Sequence, residues 1–365
     1  MRLSQVIDEL VEERGLKRDV LNAIVVEGLT SAYTKKYPHV SFAIEYSKQT
    51  DELHVFAHKT VVSSVEDADT QISLRKARAV QDDIELGATI KVPFEGSIGR
   101  IEILRAKQVI AQQIRAIETA ALYEEFKGKE GTIVTGAIYK TEPRGVLVKI
   151  GEALAFLPKS LMISGDTYTP GYTIRALLKE VLPEPRNDNQ LILDRASPQF
   201  LVELLRIEIP EIYENIVEIK KAVRIAGYKS KIIVISHDKN VDPVGTCIGF
   251  GGARIKPILR ELGTEKIDII GESFSTDDFV RSALKPAVVR RVEIVDNGSV
   301  AHVWLDADQR SLAIGKMGQN IALASELCGF HIRLMDDASA VYPTETTRES
   351  AESTVDENTA SDEEE

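Results

Sequence analysis

Ile248-Gly249-Phe250-Gly251-Gly252-Ala253-Arg254-Ile255 returns 66 positions later as Ile314-Gly315-Lys316-Met317-Gly318-Gln319-Asn320-Ile321. Each octet is preceded by an Asp-rich turn, Asp242-Pro243 in the first copy and Asp306-Ala307-Asp308 in the second. Each is followed by apolar residues at helical spacing, Ile255, Ile258, Leu259 and Leu262 in one and Ile321, Leu323, Ala324 and Leu327 in the other. Both copies then run into a short apolar strand, 266–270 and 330–335, and both are preceded by two β-rich runs, 216–223 with 231–236 and 288–295 with 300–305. The repeat therefore reads strand, strand, helix, Gly-x-x-Gly, helix, strand, twice over.

A single pair of glycines three apart is weak evidence, because a helix–Gly–helix turn with no ligand looks the same. Two copies inside a repeated unit of this size resemble tandem type II KH modules, in which such a loop clamps about four nucleotides of single strand. Without a Cβ the loop backbone can lie against a sugar-phosphate chain, and the following helix aims its first N–H groups and positive dipole end at the same place. Candidate RNA-binding residues are Gly249, Phe250, Gly251, Gly252, Gly315, Lys316, Met317 and Gly318 in the loops. Arg254, Lys256 and Lys316 would supply phosphate charge, and Asn320 a hydrogen-bonding edge.

A formal charge of −12 over 365 residues argues at first against a nucleic-acid partner, but the charge is unevenly placed. From Ala338 onward nine acids face Arg348 alone, leaving −8, whereas residues 220–260 hold nine bases against Asp238 and Asp242, or +7. A basic stretch beside a Gly-x-x-Gly loop is the footprint that an RNA backbone needs; the bland reading is a solvated charged face. The opposite charges suggest that the tail covers this stretch in the free protein, and deleting residues 341–365 tests that through a gain in RNA affinity. The tail itself is too short and polar to fold.

Hydrophobic residues make up 43% of the chain, which provides for two to four domains with real cores. No apolar run approaches the roughly 18 residues needed to cross a bilayer, and the start has no signal-peptide core, so a cytoplasmic location is expected. Cys247 and Cys328 stand alone, against a disulfide framework and for small buried hydrophobes. His54 and His58 share one side of a strand, but without a nearby Cys or acid pattern they read as a surface or partly packed pair. Lys316 does not belong to a phosphate-binding P-loop, because position 310 is Arg and no Ser or Thr follows the Lys. Neither a metal nor a cofactor is expected, and no clustered carboxylates point to catalysis.

Along the chain, Leu3, Val6, Ile7, Leu10 and Val11 form the stripe of an amphipathic helix. A second helix is expected over 18–37, strands over 40–46, 53–62 and 89–92, and a long helix from Gly99 to about Phe126. After the joint Lys127-Gly128-Lys129-Glu130-Gly131 come five short strands (132–139, 145–150, 153–157, 173–181, 190–193), which fit an OB-type barrel. Within it, Gly145-Val146-Leu147-Val148, Ala155-Phe156-Leu157-Pro158 and Pro170-Gly171-Tyr172 resemble the ribosomal S-one class. Tyr139 and Phe156 are there either core aromatics or stacking faces for bases. A short helix from Ser197-Pro198 leads into the first repeat.

This order, together with Gly99-Arg100-Ile101, Ala106-Lys107-Gln108-Val109-Ile110, Val217-Glu218-Ile219-Lys220, Asp242-Pro243-Val244-Gly245, Glu265-Lys266-Ile267-Asp268-Ile269 and Gln319-Asn320-Ile321, resembles the NusA family of bacterial transcription factors over residues 1 to about 336. Departures are Phe250-Gly251 where the family carries a basic residue, and Ala155 and Asp194 where it carries Gly and Ser. The expected architecture is multidomain α+β. It comprises an N-terminal α/β, RNA-polymerase-binding domain (1–127), an S-one-type OB barrel (128–198), KH domains over 199–275 and 276–340, and a disordered acidic tail (341–365). The resemblance implies a monomeric, non-enzymatic protein that binds core RNA polymerase and nascent single-stranded RNA. The implied effects are on pausing, termination and antitermination, alongside other elongation or antitermination factors. Rival readings are a ribosome-assembly protein, which uses KH units of this topology, and an RNA-processing nuclease, for whose catalytic core residues 1–127 are too few.

Overall fold

A computed structural model describes residues 17–47, 52–187, 189–273, 275–295 and 298–335. The stripe expected over 3–11 and the acidic tail lie outside the described residues. The chain divides into two compact units, one holding residues 1–126 and the other essentially everything from Lys127 onward.

In the first unit, helix α1 (Arg18–Lys36) buries Leu21, Ile24, Val25 and Ala32 along one stripe. It is followed by β1 (Ser41–Ser47) and β2 (Glu52–Val62), paired antiparallel, then β3 (Gln71–Ser73), helix α2 (Leu74–Arg78) and β4 (Thr89–Pro93). Strand β2 organises the sheet, pairing β4 antiparallel through its middle and β3 parallel at its end. Helix α3 (Arg100–Lys127) lays Ile114 against Leu21 and Ile24. Strand β3 and α2 have too few residues to leave a periodic signal, and the sequence reading lacks both.

The second unit opens with a closed five-stranded barrel of β5 (Ile133–Glu142), β6 (Gly145–Ile150), β7 (Ala153–Pro158), β8 (Thr173–Arg186) and β9 (Asn189–Asp194). The strands are arranged in the order β5-β6-β7-β9-β8. Val146, Ala155, Leu157, Leu178, Leu191 and Leu193 fill its interior, the alternate positions of strands that each have one dry face. The two aromatics separate: Tyr139 is at the surface and Phe156 is half-buried.

Each repeat forms a three-stranded sheet with helices on one face. In the first, α4 (Pro198–Glu208) and the short α5 (Pro210–Tyr213) lead into β10 (Val217–Ile225), β11 (Lys229–Ser236), α6 (Pro243–Ile248), α7 (Ile255–Leu262) and β12 (Lys266–Gly271). In the second, α8 (Thr276–Ala283) leads into β13 (Val289–Val295), β14 (Val300–Leu305), α9 (Ala307–Ile314), α10 (Gln319–Cys328) and β15 (His331–Met335). Both sheets pair their first two strands antiparallel, with a bulge in the first strand, and their last two parallel. The unit is thus α-β-β-α-α-β, one helix longer at its start than the repeat read from the second copy.

The joints are cores rather than hinges. Ile163 and Leu177 of the barrel share a buried cluster with Phe200, Leu204, Ile232 and Ile258 of the first repeat. Arg195, almost fully buried, donates to Glu261 Oε1 at 2.6 Å and to Asp166 at 3.1 Å, and Arg175 reaches Glu208 and Glu261. Across the next joint, Val223, Ile233 and Ile270 of the first sheet enter the core of the second repeat with Val280, Leu284, Leu323 and Leu327. The two repeats therefore present one continuous body.

Candidate nucleic-acid interface

Asp242 caps α6, its carboxylate accepting from Val244 N and Gly245 N, with Pro243 at the first helical position where its missing N–H costs nothing. A Cβ at position 245 would stand 2.5 Å from that carboxylate, which accounts for the glycine. Asp-Pro-Val-Gly is thus a helix-start device that fixes where the loop begins.

The two glycines of each loop do different jobs. Gly249 (φ 73°, ψ 166°) and Gly315 (φ 72°, ψ −179°) occupy a region essentially closed to other residues. A Cβ there would lie 2.9 Å from Arg254 Cγ in the first copy and 2.7 Å from Asn320 Cβ in the second. These first glycines let the chain reverse against the next helix. Gly252 (φ 77°) and Gly318 (φ 75°) also need a positive φ, but the space beyond Gly318 is open and a Cβ at Gly252 would make only ordinary contacts with the Lys256 and Ile255 side chains. Their backbones are the ones an outside chain can approach. Phe250 and Met317 stand at the tips, 101% and 87% exposed, and Met317 holds φ 53° where the first loop has Gly251 at φ 60°. Ile248 and Leu312 add exposed apolar surface just before the loops.

Three expectations from the sequence need correction. Asn320 is buried: its Nδ2 donates to Leu284, Leu312 and Ala313 carbonyls at 3.1–3.3 Å, and its Oδ1 accepts from Lys229. It offers no edge to a base; it ties the loop to both modules. Arg254 is likewise engaged, bonding Thr246 O at 2.9 Å and Glu211 at 2.8 Å. Part of the basic stretch is internal too, namely Arg224, Lys229 and Lys231, while Lys220, Lys221, Lys239, Lys256 and Arg260 stay exposed. Arg224 forms a fully buried two-pronged pair with Glu265, which also accepts from Ser230 Oγ and Gly227 N. Lys229 and Lys231 converge on Asp268 at 2.8 and 2.7 Å, and burial pushes the Lys231 ammonium below its ordinary pKa despite that carboxylate. Strand pairing puts Lys229, Lys231 and Asp268 on one sheet face and Arg224 with Ser230 on the other, and packing neutralises the bases on both.

Exposed cations near the loops come from within that stretch and from beyond it. Lys256 follows the first loop and Lys316 lies within the second. Between the modules runs a seam with two adjoining cavities of about 680 and 520 Å³. The first is lined by Lys266, Lys285 and Arg281, and the second by Tyr228, Lys266, Gly315 and Lys316. Exposed Lys266 and Lys285 were missed from sequence. Alternation along 266–270 carried a signal for Lys266; Lys285, in the loop before β13, carried none. Cys247 is buried and Cys328 half-buried, and burial pushes both thiols up to about 11. Among the described residues there is no cluster of His, Cys, Asp or Glu able to hold a metal, and no helix long and apolar enough to cross a membrane.

Three family models match: the NusA N-terminal domain over residues 2–120, the NusA-like first KH domain over 195–272 and the NusA-like second KH domain over 276–341. Among curated relatives, the transcription termination/antitermination protein NusA of Thermus thermophilus is 36% identical over 343 residues, covering 90% of this chain and 88% of that protein. Its Bacillus subtilis counterpart is 33% identical over 351 residues, covering 94% of each. That of Rickettsia conorii is 32% identical over 344 residues, covering 92% of this chain and 68% of the relative. Two Gly-x-x-Gly loops in tandem KH modules, behind a matching N-terminal domain and with identity running nearly end to end, establish that the chain belongs to the NusA family.

Proposed function

We propose that this protein is a cytoplasmic, non-enzymatic transcription factor that holds nascent single-stranded RNA on its KH modules while its N-terminal unit docks on RNA polymerase. Through these two contacts it modulates pausing, termination and antitermination. One observation carries the RNA half: Gly252 and Gly318 present approachable main chain at the tips of loops whose first glycines are internally fixed. Phe250, Gly251 and Met317 flank the strand's path, and Lys256, Lys316 and the seam lysines supply phosphate charge. The barrel, which we assign as an S-one-type OB fold, extends this surface, with exposed Tyr139 as a stacking face. In the N-terminal unit, Ile101 and Leu104 at the start of α3 are 78% and 59% exposed, an apolar contact surface consistent with a protein partner.

Gly252→Asp with Gly318→Asp tests the clamp by placing a carboxylate on each approach path. The double variant is expected to stay folded, with its melting temperature lowered by several degrees because both positions hold a positive φ, and to lose single-strand RNA binding. Unchanged affinity would remove the clamp. Pull-down of core polymerase rather than the small ribosomal subunit separates this reading from ribosome assembly.

A further inference from the structure

The two KH sheets share one design and differ in what covers their outer faces. The first sheet turns Val223, Ile233 and Ile270 outward into the core of the second module, and Lys221 donates to the carbonyls of Glu326 and Leu327 at the end of α10. The corresponding face of the second sheet carries Arg291, Glu293, His302, Trp304, His331 and Arg333, set side by side by the pairings Arg291↔Trp304, Glu293↔His302 and His302↔Arg333. The arginines, Glu293 and His331 are exposed, and Trp304 is half-buried. The Arg291 guanidinium lies 4.9 Å from the indole centroid, and His302 meets the indole edge-on at 6.1 Å. Arg291 also pairs with Glu293 at 3.0 Å in an exposed bridge that water and other carboxylates can exchange.

We propose that this outer face of the second KH sheet is the docking site for the chain's own acidic C-terminal segment, residues 341–365. Charge complementarity is the first argument: two arginines against one carboxylate, beside two imidazoles able to hydrogen-bond a carboxylate, meet a segment with nine acids and a single arginine. Connection is the second. The segment leaves the sheet from β15, whose last residue, Met335, is the register partner of Trp304. The thirty residues beyond it can reach many times the roughly 10 Å width of three strands. A tether this short holds the segment at an effective concentration in the millimolar range, so weak ion pairs suffice. A stacked base fits the face less well, because one side of the indole is already taken by Arg291. The basic stretch over 220–260 is a poorer target, since Arg224, Lys229 and Lys231 are buried against carboxylates and Lys221 is held by the carbonyls at the end of α10. Docked on this face, the tail lies across the sheet from the helices that carry the second loop, and its negative charge stays clear of RNA at Lys316.

Trp304 is the only tryptophan in the chain, so intrinsic fluorescence of the full-length protein reads this face alone. Three full-length proteins are compared by acrylamide quenching at low salt: the native chain, a chain whose tail acids are changed to the corresponding amides, and Arg333→Glu. Both variants are expected to raise the quenching constant about twofold, and about 1 M salt, where screening acts within 3 Å, should raise the native chain to the same value. Equal quenching in all three at low salt would overturn the proposal. So would Trp304 protection that appears only on adding an RNA oligonucleotide and is the same with the neutralised tail.

Discussion

Gly249 and Gly252 are both glycines for conformational reasons, yet substitution should separate their roles. Alanine at Gly249 meets Arg254 at under 3 Å in a region closed to side chains, so Gly249→Ala should destabilise by at least about 2 kcal/mol. Gly252→Ala pays only the left-handed backbone term, about 1–2 kcal/mol. Chemical denaturation of the two variants checks the order. Phe250 tests the outward side of the same loop. With its ring wholly in solvent, Phe250→Ala should leave stability within about 0.5 kcal/mol of the native value while weakening RNA binding by about 1 kcal/mol or more if a base stacks on it. Cys247 gives a chemical check on burial: with its thiol pushed up to about 11, the thiolate at pH 8 is about a hundredfold scarcer than in a thiol of ordinary pKa. Alkylation of the native protein at Cys247 should be correspondingly slow and become fast on unfolding.

At the scale of elements, residues that made the sequence distinctive turn out to build the scaffold rather than touch ligand. Asp242 and Gly245 start a helix, and Glu265 and Asp268 neutralise Arg224, Lys229 and Lys231. Asp242→Ala should therefore cost about 1 kcal/mol through loss of the cap, whereas Glu265→Ala strands the buried Arg224 guanidinium and should cost about 3–5 kcal/mol. Thermal melts of the two variants would show whether the cap or the buried pair matters more. The strands and helices of both repeats were legible because each has one apolar face with a regular period. Strand β3 and α2 were not, having only 3 and 5 residues. The loop glycines were legible as a repeat. The fates of Asn320 and Arg254 were not, because whether a polar side chain faces solvent or a neighbouring carbonyl depends on contacts such as Asn320 with Leu284, 36 positions away. Asp194 uses its Oδ1 to accept from Ala196 N and Ser197 N, which sets the entry into α4.

Within the unit that runs from the barrel through both KH modules, shared cores make one rigid support, and its electrostatics follow from which cations packing leaves outside. Counting bases along residues 220–260 suggests a strongly charged track, but Arg224, Lys229 and Lys231 are compensated within the fold. Exposed Lys256, Lys266, Lys285 and Lys316 are four candidates for phosphate contact. At about −0.7 per contact for single strands, log affinity should fall against log salt with a slope near −3. Lys266→Ala and Lys285→Ala should each flatten that slope by about 0.7, because they line the seam between the modules. Lys229→Ala should leave the slope nearly unchanged, its charge being already held by Asp268, and should instead lower stability by freeing Asn320 Oδ1. Titrations of a single-stranded oligonucleotide at several salt concentrations distinguish the cases. If Lys229→Ala flattened the slope as much as Lys266→Ala, RNA would be entering the joint between the modules rather than passing over it.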